Sequence, residues 1–192
     1  VTVTTADGGS LTTNQAFSIT VTDADEAPTS VSLSASSIAE NAAGATVGTL
    51  STTDVDSGDT FTYTLSGSDA ASFEISGSTL KLKDSVSSDY ETQASYSVTV
   101  TVTDAGGLTT SQAFTVSVTN ANDSPTAVAL SANSIAENAA GATVGILSTT
   151  DPDNVDTFTY TLSGSDAVSF EISGTTLKLK DPTSADYESQ SS

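Results

Sequence analysis

Apolar and polar residues alternate with a period of two along most of this chain. Within residues 28–124, the segments 31–34 (VSLS), 61–65 (FTYTL), 73–75 (FEI), 80–83 (LKLK), 96–102 (YSVTVTV) and 114–118 (FTVSV) place every second apolar side chain on one face. This is the pattern of strands with one face buried and the other in solvent, where the abundant Thr fits. A segment at Thr46–Leu50 makes a seventh strand. Clusters of Gly, Asp, Asn and Ser at 56–59, 66–70 and 104–107 read as turns between strands, and no stretch carries a helical period. The expected core is Val31, Leu33, Ile38, Phe61, Tyr63, Leu65, Phe73, Ile75, Leu80, Leu82, Val98, Val100, Val102, Phe114, Val116 and Val118. Seven short strands in about 100 residues predict an all-β fold, a seven-stranded Greek-key β-sandwich of immunoglobulin-like architecture.

The pattern also repeats. Residues 28–95 align without a gap with 125–192, differing at 14 of 68 positions, and 1–27 align with 98–124 at the same offset of 97. The expected organisation is therefore the C-terminal strand pair of an incomplete repeat (1–27), a complete repeat (28–124) and the N-terminal part of a third (125–192). A lone hairpin is marginal in water, so the chain reads as a window on a longer tandem array.

Composition narrows what such an array does. The 192 residues carry 24 acids against four Lys and no Arg, a net charge of −20. Phosphate binding needs a basic footprint, so the charge balance argues against nucleic acid and disfavours anionic membrane surfaces; direct membrane insertion is not expected either. Acidity with few aromatics can signal disorder, but the regular strand pattern outweighs it. Cysteine is absent, which removes disulfides and thiolate metal sites. No apolar run reaches membrane-spanning length, and the first residues, VTVTTADGG, have no signal-peptide character. Without His, Cys or Arg, most nucleophile–base pairs are unavailable. A carboxylate pair could cleave glycosides, but these acids repeat with the array and no aromatic cleft accompanies them. The chain is read as non-enzymatic.

Sixteen of the 24 acids fall in recurring motifs. In the complete repeat these are Glu40-Asn41, Asp54-Val-Asp56, Asp89-Tyr-Glu91, Asp104 before Ala-Gly-Gly, and the closing Asn120-Ala-Asn122-Asp123. Their counterparts are Glu137, Asp151/Asp153, Asp186/Glu188, Asp7, and Asp23-Ala-Asp25-Glu26. The loop DVDSGD (54–59) becomes DPDNVD (151–156), keeping three aspartates while losing Gly58. A mere turn would keep the glycine, which supplies unusual backbone angles. Asp59, Asp69, Glu74, Asp84 and their repeat partners Asp156, Asp166, Glu171 and Asp181 read as surface charges, and Tyr90 as a packing residue that orients its acidic neighbours. The Asn122-Asp123-Ser124 sequon is discounted, since Pro125 follows it.

In a sandwich, inter-strand loops gather at two poles, so acids of one repeat's exit meet acids of the next repeat's entry. Facing carboxylates repel, more so when partly desolvated. Oxygen donors without His or Cys favour Ca²⁺, with Mg²⁺ the weaker candidate.

These motifs, in this order and spacing, resemble the cadherin repeat, above all the bacterial cadherin-like tandem repeats of large RTX-type surface adhesins. The resemblance covers the whole chain and implies tandem cadherin-like sandwiches with up to three Ca²⁺ at each junction. It implies metal ligation by Asp7, Asp23, Asp25, Glu26, Glu40, Asp54, Asp56, Asp89, Glu91, Asp104, Asn120, Asn122, Asp123, Glu137, Asp151, Asp153, Asp186 and Glu188. Departures are Asn120 in place of an Asp, Glu26 in place of a later Asp, an earlier proline, and Ser88 or Ala185 before the D-Y-E triplet. Six charges (Glu40, Asp89, Glu91, Asp123, Asp151, Asp153) at the second junction would balance three Ca²⁺.

The functional expectation is an extracellular, bacterial cell-surface stalk of Ca²⁺-rigidified repeats, with neighbouring repeats of the same chain as partners. The alternatives are direct adhesion through a like repeat, a cell-surface protein or a glycan, and a filament in which identical chains complete a split repeat head to tail by strand addition.

Overall fold

The inter-strand alternation is realised as antiparallel sheets. In the computed structural model, residues 1–153 and 155–189 are described. Asn154 and residues 190–192, which end the 125–192 segment, lie outside the described residues. The chain forms two compact units: Val1–Ile38, Ala42–Ser87 and Ser95–Ser117 in one, Ala39–Asn41, Ser88–Ala94 and Val118–Ser192 in the other.

Residues 28–124 fold as two four-stranded sheets. One contains β3 (Ser30–Leu33), β5 (Thr46–Thr53), β8 (Thr79–Leu82) and β7 (Phe73–Ser76), in the order β3-β5-β8-β7. The other contains β4 (Ser37–Ala39), β10 (Thr109–Thr119), β9 (Ser95–Thr103) and β6 (Thr62–Ser66), in the order β4-β10-β9-β6. The first strand is thus split, β3 serving one sheet and β4 the other. The sequence pattern showed seven strands and missed β4, because three residues are too few to display alternation. Helical structure among the described residues is limited to 3₁₀ turns at Ala70–Ser72 and Ser165–Ser169.

Alternation buries what it predicts. Val98, Val100 and Val102 of β9 are wholly inaccessible, as are Leu80 and Leu82 of β8 and Val116 of β10. Val31, Leu50, Val100 and Val102 form a core against which Leu33, Phe61, Tyr63, Leu65, Ile75 and Phe114 pack half-buried. The core also takes Val47 and Tyr96, whose ring meets Phe73 edge-on at 5.4 Å.

The flanking segments hold parts of the same pattern. β1 (Thr2–Ala6) pairs with β2 (Thr12–Ala16) as a two-stranded sheet. In the third segment β11 (Ala127–Leu130), β12 (Thr143–Thr150), β14 (Thr176–Leu179) and β13 (Phe170–Ser173) reproduce the β3-β5-β8-β7 order. The counterparts of β4 and β6, residues 134–136 and 159–163, are not strands. In residues 28–124 those strands are held by β10 and β9, whereas residues 125–192 align with 28–95 alone. Val31 is accordingly 5% exposed and its counterpart Val128 64%.

Candidate metal centres

The turn between β9 and β10 begins at Asp104. Its N–H donates to the Leu108 carbonyl (3.1 Å), and its Oδ1 accepts the Leu108 N–H at 2.8 Å. Asp7 does the same for the β1–β2 turn, accepting from Gly9 and Leu11 at 2.9 Å each. In the loop after β5, Asp54 Oδ1 accepts the Asp56 N–H (3.1 Å) in an Asx turn. Asp56 Oδ2 in turn accepts the Glu26 N–H at 2.8 Å, which ties the 23–28 segment to this loop. The result is three carboxylate groups: Asp23, Glu26 and Asp56; Asp25, Asp56 and Asp59; Asp54, Asp59 and Asp104. Within each, one oxygen per residue lies within 4.8 Å of the others. Oxygens on one Ca²⁺ sit about 2.3–2.6 Å from it, hence no more than about 5 Å apart. The spacing fits.

Gly106 belongs to this centre through what it lacks. A Cβ there would lie 1.8 Å from Asp25 Oδ2, so Asp25 occupies space that any other residue would fill.

The second centre is built on Glu40, 4% exposed. Its Oε2 accepts the Tyr90 N–H at 2.7 Å and its Oε1 the Ala121 N–H at 2.5 Å. One buried carboxylate thereby gathers the D-Y-E triplet and the N-A-N-D linker. Asn41, left-handed at φ 60°, donates its side-chain amide to Asp123 Oδ1 at 2.9 Å. The Asp123 N–H donates to Asp153 Oδ2 at 2.6 Å, matching the Glu26–Asp56 bond 97 residues earlier. Glu40, Glu91 and Asp123 form one three-carboxylate group, and Asn120 lines a cleft with Tyr90, Glu91, Pro152 and Asp153. Asp151 repeats the Asx turn onto Asp153 at 2.9 Å. A further group, Glu137, Asp186 and Glu188, is fully exposed.

Burial and charge conflict in both centres. Desolvation comes first among the forces raising the Asp25, Asp59 and Glu91 carboxyls above their usual range, and like charges follow. For Asp25 those charges are Asp104, Asp59, Asp56 and Asp54; for Glu91 they are Glu40, Asp153 and Asp123. Glu26 and Asp156 are raised in the same way. Among the described residues, buried oxygens without a hydrogen-bond partner are Oδ2 of Asp54, Asp59, Asp104 and Asp151. Buried carboxylate oxygens are normally satisfied. Three of the four Lys are engaged elsewhere: Lys81 pairs with Glu74 and Asp84, Lys178 with Glu171 and Asp181, and Lys180 donates to the Val168 carbonyl. The donor set, all hard oxygens with orphaned lone pairs, fits Ca²⁺.

Some residues sit differently from the sequence reading. Asp89 accepts the N–H and hydroxyl of Thr92 (3.0 and 2.8 Å), which lowers its pKa, and Asp186 likewise accepts the Ser189 hydroxyl (2.8 Å). Asn122 bonds to the Asp123 carbonyl at 3.0 Å and is exposed. Tyr90 is 38% exposed, and it is its backbone N–H, donating to Glu40, that ties down the acids flanking it. Asp59 is not a free surface charge. It is half-buried inside two acid groups. Asn41 went unread as a donor because its acceptor lies 82 residues away.

Residues 34–119 match the family model of the cadherin domain. No curated protein matches the chain. Among solved structures, it resembles the protocadherin GammaB4 extracellular domain at 27% identity and TM-score 0.61, over 98% of this chain and 33% of that one. It resembles human protocadherin-24 EC1-2 at 26% identity and TM-score 0.59, over 79% of this chain and 74% of that one. Protocadherin Gamma B2 extracellular cadherin domains 3–6 share the fold at 19% identity and TM-score 0.61, over 98% of this chain and 49% of that one. The chain thus spans about a third of the length of the first of these and about half of the last.

Proposed function

We propose that this chain is a segment of Ca²⁺-binding, cadherin-like tandem repeats, an extracellular extender that holds a binding module away from a cell surface. The observation that carries the reading is the set of buried, partnerless carboxylate oxygens on Asp54, Asp59, Asp104 and Asp151. They lie in three loops, 54–59, 104–107 and 151–156, each beside further acids. Enclosing uncompensated charge of this kind is unfavourable, and a bound divalent cation removes that penalty. Bound Ca²⁺ would supply positive charge and six to eight coordination positions for oxygen.

The chain's own residues do the rest. Glu40 holds the triplet and the linker together, Asp123 and Asp153 lock by a backbone bond, and Asp104 closes its turn while leaving Oδ2 inward. In this reading the chain carries the end of one repeat (1–27), a whole repeat (28–124) and the start of another (125–192). The near-identity of the repeats is the reason to place it in a large bacterial adhesin of the stalk type, since a spacer needs length rather than diversity.

Calcium calorimetry with small-angle scattering tests the proposal. Binding at Kd values of about 10⁻⁴–10⁻³ M, with a longer and stiffer monomer in Ca²⁺ than in chelator, is the expected result. No heat and no change in dimension would overturn it. A concentration-dependent dimer in Ca²⁺ would replace the stalk by direct self-adhesion, and an open-ended series of oligomers by a filament.

A further inference from the structure

We infer that Asp59 is a shared cation ligand, a carboxylate that serves two neighbouring Ca²⁺ positions, one with Asp25 and Asp56 and the other with Asp54 and Asp104. The inference rests on the calcium reading above and extends it to a residue whose place in the sequence reads as a surface charge.

Three observations carry it. Asp59 alone belongs to both three-carboxylate groups that involve the 104–108 turn and the Asp25 linker position: Asp25–Asp56–Asp59 and Asp54–Asp59–Asp104. Its Oδ2 is buried and has no hydrogen-bond partner. Asp104, a member of the second group, is 6% exposed and its Oδ2 is equally buried and partnerless, so the cluster is not merely a patch of surface acids. Without a cation, the fold would bury two carboxylate oxygens against each other with neither a proton donor nor a lysine between them. A bridging position resolves this, because one carboxylate has two oxygens and can serve two cations.

The same placement recurs one repeat later. Asp156, 97 residues on, is half-buried and feels the charges of Asp151 and Asp153. The two loops differ at Val55, Ser57 and Gly58 but not at this aspartate. A turn residue would not be expected to stay while the glycine beside it, at φ 105°, is exchanged for valine.

The test is calcium titration of the full chain, stripped with chelator, as wild type and as Asp59→Asn, Asp25→Asn, Asp104→Asn and the surface control Asp166→Asn. Calorimetry and equilibrium dialysis at 1 mM free Ca²⁺ give affinity and ions bound. Asp25→Asn and Asp104→Asn should each cost one ion, whereas Asp59→Asn should cost two, with affinity down by about 10-fold or more. In chelator, Asp59→Asn should melt no lower than wild type, because it removes like charge without changing shape; in Ca²⁺ it should melt lower. A damaged fold would lower both. If wild type binds and Asp59→Asn matches it or loses one ion, sharing is overturned while the calcium reading stands. If wild type binds nothing, the calcium reading itself falls.

Discussion

Gly106 shows how a residue with no side chain can make room for a carboxylate at a candidate metal centre. Asp25 Oδ2 stands where its Cβ would be, 1.8 Å away, so Gly106→Ala must displace the carboxylate or the turn. The expected outcome is calcium affinity at the first junction reduced about 10-fold, with the chelator-treated protein changed by about 0.5 kcal/mol or less, the scale of a surface substitution. Calorimetry beside urea melts in chelator measures both. Unchanged affinity would mean that Asp25 does not face the ion.

The same residues set a pH dependence whose sign reverses with metal. Asp25, Asp59 and Asp156 are raised above 3.8, and Glu26 and Glu91 above 4.5, by desolvation and like charge. A raised carboxyl takes up its proton in the folded chain first. The stability it confers is therefore full below the unfolded value and lost as pH rises through the folded one. In chelator the melting temperature should climb as pH falls from 7 toward about 4.5. Asp89 and Asp186 are lowered, so they withdraw stability only as pH falls below 3.8. In saturating Ca²⁺ protons compete with the ion, and melting temperature should fall over the same range. A curve of one sign in both buffers would break the link between these acids and calcium.

At the scale of elements, the alternating pattern made the sheets legible because a period of two leaves each residue one possible face. Val98, Val100 and Val102 could be assigned from the string VTVTV alone, and they are wholly buried. What the pattern could not carry was pairing over distance. β4 is three residues long, yet it takes the edge of the second sheet and delivers Glu40 to its two backbone donors. Asp59 was hidden for a related reason: an Asx turn accounts for part of its loop, and only the approach of the 104–108 turn turns a loop acid into a shared one. Gly48 marks another long-range constraint. It sits at the register shift between β5 and β8, where a Cβ would lie 2.8 Å from Ser34 Oγ and 2.9 Å from the Ala35 nitrogen. Gly48→Ala should thus cost about 1–3 kcal/mol, read as a lower urea midpoint in both calcium and chelator. A loss seen in calcium alone would assign this bulge to the metal centre instead.

For the whole chain, a net charge of −20 means that any added salt relieves repulsion. Calcium stabilisation has to be separated from that background. Screening depends on ionic strength, whereas binding depends on the free ion: a site stabilises the fold by RT ln(1 + [L]/Kd). With Kd near 10⁻⁴–10⁻³ M, raising free Ca²⁺ to about 10 mM gives roughly 1.4–2.7 kcal/mol per site. Several sites acting on one chain would move the melting temperature by many degrees. Held at about 0.15 M ionic strength with NaCl, the melting temperature should therefore rise steeply between about 0.1 and 10 mM Ca²⁺. Mg²⁺ should achieve a fraction of it, because it gives up its water reluctantly and demands tighter geometry. If NaCl or Mg²⁺ at matched ionic strength reproduced the whole shift, the acids of both candidate centres would be acting as a diffuse negative surface. The buried oxygens of Asp54, Asp104 and Asp151 argue for the steep response, since mobile counterions relieve exposed charge far better than charge the fold has enclosed.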